Sequence, residues 1–79
     1  MPRYYFYARG PNRYMVDHVG YELSDLTEAR EYAFETIRDM ASDPLASDPF
    51  HWGDYRHWAI HIKDEEGRTF VIIPFIMAL

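Results

Sequence analysis

Seventy-nine residues leave room for one domain, whose core hides only about 60% of the surface that the unfolded chain exposes. With no cysteine, disulfides and thiolate metal sites are excluded as supports, and oligomerisation becomes the natural way to complete so small a core. The net charge of −5 repels phosphate, so no nucleic acid is expected as a ligand unless a local basic strip overrides the total.

The charge is uneven. Residues 1–21 carry Arg3, Arg9 and Arg13 against Asp17, whereas residues 22–48 carry eight acids against Arg30 and Arg38. The acidic middle reads as the solvated face of a helix, with docking of a basic protein partner as the alternative. Met1-Pro2-Arg3 runs straight into Tyr4-Tyr5-Phe6-Tyr7 with no basic and apolar leader, so a cytoplasmic protein is expected. The longest apolar run, Phe70 to Leu79, is broken by Pro74 and is half the roughly 20 residues that a spanning helix needs. No membrane association is expected.

The first element is a hairpin over residues 1–16. Between Arg3 and Arg9, alternation places Tyr4, Phe6 and Ala8 on one face and Tyr5, Tyr7 and Arg9 on the other. Gly10-Pro11-Asn12 forms a three-residue loop, and Arg13 to Val16 returns with β-formers. Asp17 to Gly20 then leads out of the strand, with Gly20 free to take a positive φ.

A helix is predicted over 25–42. Asp25 can accept from the free amides of the first turn, and Glu28 can reach back to the Asp25 amide. Leu26, Ala29, Ala33, Ile37 and Met40 fall on one stripe, and Glu28, Glu31, Glu35 and Asp39 on another. Pro44 pushes the preceding residue out of the helical region and ends the element. Residues 43–54 contain the near-repeat Ser42-Asp43-Pro44-Leu45-Ala46 and Ser47-Asp48-Pro49-Phe50-His51, and read as an ordered loop pinned by Phe50 and Trp52.

A second hairpin is predicted over 55–73. Trp58, Ile60 and Ile62 alternate with His57, Ala59, His61 and Lys63, the signature of a half-buried strand. Asp64-Glu65-Glu66-Gly67 is the turn, with Gly67 in the left-handed region. On the returning strand Phe70, Val71, Ile72 and Ile73 are all apolar, so both of its faces need cover. Residues 74–79 form an apolar tail beginning at Pro74, which cannot donate to a ladder. The expected fold is therefore α+β of ββαββ order, a four-stranded antiparallel sheet of two hairpins with one helix on one face. The expected partner is a second copy, meeting it through Phe70, Ile72, Phe75, Ile76, Met77 and Leu79.

Several stretches together carry a resemblance: Met1-Pro2-Arg3-Tyr4-Tyr5-Phe6; then Asp17, Gly20, Glu22, Leu23, Asp25, Leu26, Ala29 and Arg30; and Asp64-Glu65-Glu66-Gly67-Arg68 with Pro74-Phe75. The chain resembles a small bacterial, rhizobial-type family, the domain of unknown function numbered 6894, over nearly its whole length. It departs from that pattern in the aromatic Pro44 to Trp58 stretch, which is longer than the family's usual connection. The resemblance implies the fold and a cytoplasmic setting, and brings no activity, cofactor or catalytic residue.

Chemistry is thinly represented. His51, His57 and His61 are the candidate metal ligands, but residues four apart on a strand lie about 13 Å from each other, so His57 and His61 cannot share an ion unaided. Solvated strand histidines explain them as well. Asp64, Glu65 and Glu66 are accounted for by the turn. Ser24, Ser42 and Ser47 lie outside any nucleophile elbow, and the four glycines are scattered rather than gathered into a phosphate loop. No catalytic residue and no cofactor are expected. Tyr5, Tyr7 and Arg9 form the one plausible base-stacking platform, which without a basic groove reads instead as core, rim or dimer contact.

Three readings of function follow. The first is a non-catalytic module that self-associates through its last strand and tail. The second is an antitoxin-like regulator, from a loose similarity of order to HicB-type domains, in which aromatic strands precede an Asp-Leu-x-x-Ala helix like Asp25-Leu26 to Ala29. The third is a small metal-assisted hydrolase using the histidines and Asp54.

Overall fold

A computed structural model describes residues 1–11, 13–42 and 55–78. The expected ordered loop at 43–54, with Phe50, Trp52, His51 and Asp54, lies outside the described residues, as does Leu79. The strands are β1 (Arg3–Arg9), β2 (Tyr14–Met15), β3 (Tyr21–Glu22), β4 (Ala59–Lys63) and β5 (Thr69–Pro74), with one helix, α1 (Leu26–Ser42), between β3 and β4. The sheet is antiparallel and runs β2-β1-β4-β5, with β3 also paired to β1. The class is the α+β fold expected, with one difference in the strand count.

That difference has a physical cause. β2 pairs with the end of β1, Ala8 opposite Met15, and β3 pairs with its start, Tyr4 opposite Tyr21. The second strand is thus one strand broken in two, and Asp17 occupies the break. Its carboxylate accepts from the Phe6 amide at 3.2 Å, replacing the ladder carbonyl that the break removes, and from the Val19 and Gly20 amides at 3.0 and 2.9 Å. Gly20 stands at φ 73°, a conformation that side chains resist. The hairpin loop is closed by the Gly10 amide donating to the Arg13 carbonyl at 2.8 Å.

At the start of α1, Asp25 Oδ1 accepts from the Glu28 amide at 2.9 Å, as an N-cap should. The sequence predicts that Glu28 returns to the Asp25 amide, and the structure differs. The Glu28 carboxylate accepts from the Ser24 amide at 2.9 Å and from the Ser24 hydroxyl. These bonds, the hydroxyl's first, hold the Glu28 carboxyl below the usual carboxylate range. The helix stripe is seated as its spacing requires: Ala29, Ala33 and Ile37 are fully buried, and Leu26 and Met40 pack at its edges.

The core lies between that stripe and one face of the sheet. Tyr4 and Ala8 from β1, Ile60 and Ile62 from β4, and Ile73 from β5 face α1, with Trp58 and Phe75 closing one end. Each such apolar side chain contributes about 1.5–3 kcal/mol on leaving water. The small residues Ala29 and Ala33 let the helix backbone approach the sheet, and Tyr32 reaches past them to pack on Phe6 and Tyr21, with ring centres 4.9 and 4.7 Å apart.

Two expectations at the second hairpin need correction. Tyr55–His57 is a 3₁₀ turn rather than the start of the strand, so alternation begins only at Trp58. The apolar tail does not leave the fold at Pro74, which pairs with Ala59 as the last residue of β5. The Phe75 amide donates to the Trp58 carbonyl at 2.9 Å, and Phe75–Met77 winds into a second 3₁₀ turn. Phe75 is thereby enclosed in this chain's own core, its ring centre 6.0 Å from that of Trp58.

Candidate interaction surface

Register decides what shares the face turned away from α1. β1 and β4 are neighbours, with Tyr5 opposite Lys63, Tyr7 opposite His61 and Arg9 opposite Ala59. On the far side of β4, His61 stands opposite Ile72 of β5. On the far side of β1, Arg9 stands opposite Tyr14 of β2. Cross-strand partners lie on one side of a pleated sheet, so Tyr5, Tyr7, Arg9, Tyr14, His61, Lys63 and Ile72 form one surface.

Side-chain geometry ties this surface together. The Lys63 ammonium sits 4.4 Å from the centre of the Tyr7 ring, and the Arg9 guanidinium carbon 5.7 Å from that of Tyr14, both within cation–π range. The Tyr7 and Tyr14 ring centres are 5.8 Å apart. His61 lies between the two cations. Partial burial lowers its pKa from the ordinary histidine value, and the positive fields of Arg9 and Lys63 lower it further.

One end of this face is acidic. A depression of about 380 Å³, open to solvent, is lined by Tyr5, Tyr7, Asp17 and His18 and by the Asp64 to Gly67 turn. The turn is built as the sequence suggests. Asp64 Oδ1 accepts from the Glu66 and Arg68 amides at 2.9 and 2.8 Å, its Oδ2 accepts from Arg68 Nε at 2.9 Å, and Gly67 stands at φ 85°. These bonds, the Arg68 amide's first, hold the Asp64 carboxyl below its usual range.

The edge of the sheet is a different kind of surface. Among the described residues, β5 is the terminal strand, paired on one side only with β4. A bulge between Ile62 and Lys63 on one side and Val71 and Thr69 on the other leaves Phe70 as the extra residue. Phe70 turns to the helix side and meets the Tyr4 ring at 5.6 Å, whereas Ile72 points to the open face. The two were expected at the interface, and the bulge sets them on different faces. Both are about half exposed (51% and 52%), and Ile76 and Met77 beyond the strand are exposed at 60% and 67%. Of the expected interface residues, Phe70 and Ile72 lie on this edge strand, Ile76 and Met77 are exposed in the turn that follows it, and Phe75 is buried in the core.

The metal candidates are not brought together. His57 is exposed in its 3₁₀ turn and His61 lies on the open face. Among the described residues, no group of three or more histidine, aspartate or glutamate side chains could hold a metal ion. Glu28, Glu31, Glu35 and Asp39 are exposed on the outer side of α1. Tyr14 and Lys63 belong to the open face and were missed as site residues. Alternation had already placed Lys63 on one face of β4, but only the β1–β4 and β1–β2 pairings join Lys63 and Tyr14 to Tyr7 and Arg9.

Among the described residues, fold and surface together define a small α+β domain with one helix-covered sheet face, an aromatic face turned away from the helix and an apolar edge strand. The chain belongs to the family described as Domain of unknown function (DUF6894), whose pattern matches residues 3–76. No curated protein and no solved structure matches the chain significantly. Among the described residues, no helix is long and apolar enough to cross a membrane.

Proposed function

We propose that this chain is a small non-catalytic interaction module, working in the cytoplasm, that self-associates by pairing β5 with β5 of a second copy. The observation that carries the reading is the coincidence of an edge strand with apolar side chains on both of its faces: Ile72 on the open side, Phe70 on the helix side. An unpaired strand edge is a template for another strand, and apolar flanks supply the driving force that backbone hydrogen bonds alone lack. Antiparallel pairing of two β5 strands about a twofold axis is isologous and closed. It would bring Ile72 and Phe70 near their own copies and set Ile76 and Met77 at the ends of the seam.

The mass in solution tests this. Light scattering at micromolar concentration is expected to give twice the chain mass for the native protein. Ile72→Lys, which puts a charge at the seam without touching the core, is expected to give the single-chain mass with unchanged circular dichroism. A native protein of single-chain mass at 100 µM, or an Ile72→Lys variant that remains dimeric, would refute the reading.

A further inference from the structure

We propose that the open sheet face binds single-stranded nucleic acid, with Tyr7 and Tyr14 stacking on bases and Arg9 and Lys63 holding phosphates. This goes beyond self-association: the residues lie on β1, β2 and β4, and no second copy is needed.

The face combines the two elements such binding requires, aromatic platforms and cations interleaved with them. The rings of Tyr7 and Tyr14 stand 5.8 Å apart on adjacent strands, and each has a cation at its face. Among the described residues, neither Arg9 nor Lys63 is held by a carboxylate. Ion pairs among the described residues join Arg3 to Glu22, and Arg68 to Asp64 and Glu66. Two cations that rest on rings instead of acids are available to phosphate. Lys63, on a flexible stem, can swing from the Tyr7 face to a phosphate as a base takes its place.

The total charge argues the other way, and the layout answers it. The acids of α1 lie on the outer side of the helix, across the core from this face. At physiological salt, charges farther apart than about 8 Å are largely screened, so the helix acids act only weakly on Arg9 and Lys63. Asp17, Asp64, Glu65 and Glu66 line a depression together with Tyr5 and Tyr7, so they bound the site on that side and leave the Arg9 and Tyr14 end for the nucleic-acid strand. A short site with two phosphate contacts follows, of low affinity and without base-edge readout. An acidic peptide would use the cations but gain nothing from two adjacent rings, which is why nucleic acid is favoured.

The test uses the full chain and a fluorescein-labelled oligothymidylate of eight nucleotides, followed by anisotropy in 50 mM salt and by NMR of the His61 ring. Saturable binding is expected, with the His61 pKa moving upward as phosphates offset Arg9 and Lys63. Two phosphate contacts give a slope of about −1.4 for log affinity against log salt. Tyr14→Ser, on the exposed strand β2, should weaken binding by about five- to 150-fold, and Lys63→Gln should reduce the slope by about 0.7. The native His61 ring signal reports folding of each variant. The proposal is overturned by no binding at 1 mM protein, by affinity unchanged in Tyr14→Ser, or by a glutamate-rich peptide binding as tightly as the oligonucleotide.

Discussion

The two faces of the sheet are written in the same strands, one residue out of phase, and they have opposite fates. Ile60 and Ile62 of β4 lie under α1 and are fully buried, while their neighbours His61 and Lys63 face outward among tyrosines. On β1 the same alternation sends Tyr4 and Ala8 inward and Tyr5, Tyr7 and Arg9 outward. Alternation alone assigns a residue to a face. Whether that face is closed or open depends on where the chain has a helical stripe to lay over it, and one 17-residue helix can cover only one side. The covered face carries stability, and among the described residues no helix lies over the other face.

Truncation on either side of one strand should show this contrast at its largest. Ile62→Ala is expected to cost about 2–5 kcal/mol by leaving a cavity under α1, and His61→Ala to stay within about 0.5 kcal/mol. Urea unfolding of both variants, with the midpoints compared, is the check. Comparable losses would mean that the outward face is also packed.

Gly10 marks where the covered side meets the hairpin loop. A β-carbon there would lie 2.3 Å from Cε2 of the buried Trp58, and Trp58 is locked against Phe75. Gly10→Ala should therefore cost about 1–3 kcal/mol through overpacking, seen as a lower thermal midpoint and changed tryptophan fluorescence. An Ala variant as stable as the native chain would remove Trp58 from the core as described.

Asp17 bridges the broken second strand. Asp17→Ala leaves the Phe6, Val19 and Gly20 amides without their carboxylate partner and should cost about 0.5–2 kcal/mol, the range for lost caps. Faster amide exchange at Phe6, with little change in β4 and β5, is the local readout.

The smallest effect separates the faces by charge. The His61 pKa is lowered in the folded state, so the folded chain binds fewer protons there than the unfolded chain. This contribution to stability is complete above the unfolded value of about 6.5 and is lost as the pH falls through the folded one. NMR titration should place the His61 midpoint below the ordinary histidine value, and Lys63→Met should move it up. An unmoved midpoint would show that Lys63 does not act on the ring.

The legible parts of this molecule were the local ones. The helix was expected over 25–42 and spans Leu26–Ser42, because its cap and apolar stripe are encoded within a few residues. The Asp64–Gly67 turn follows equally short-range chemistry. What escaped is non-local. Nothing near Tyr7 says that His61 will stand beside it, and nothing near Gly10 announces Trp58. Phe75 reads as part of an apolar tail because the hydrogen bond that folds it inward goes to Trp58, 17 positions earlier. Asp17 looks like a loop acid, and only the unpaired Phe6 amide across the break gives it its role. The bulge at Phe70 likewise depends on pairing, and it moved Phe70 to the helix side, away from Ile72.

Contacts between copies test the edge most directly. In a sample mixed from equal parts of isotope-labelled and unlabelled chain, isotope-filtered NOEs are expected between the copies at Ile72 and Phe70, with further cross-peaks to Ile76 and Met77. Absence of any intermolecular NOE at millimolar concentration, or cross-peaks mapping to the outer side of α1 instead of β5, would contradict self-association through the edge strand.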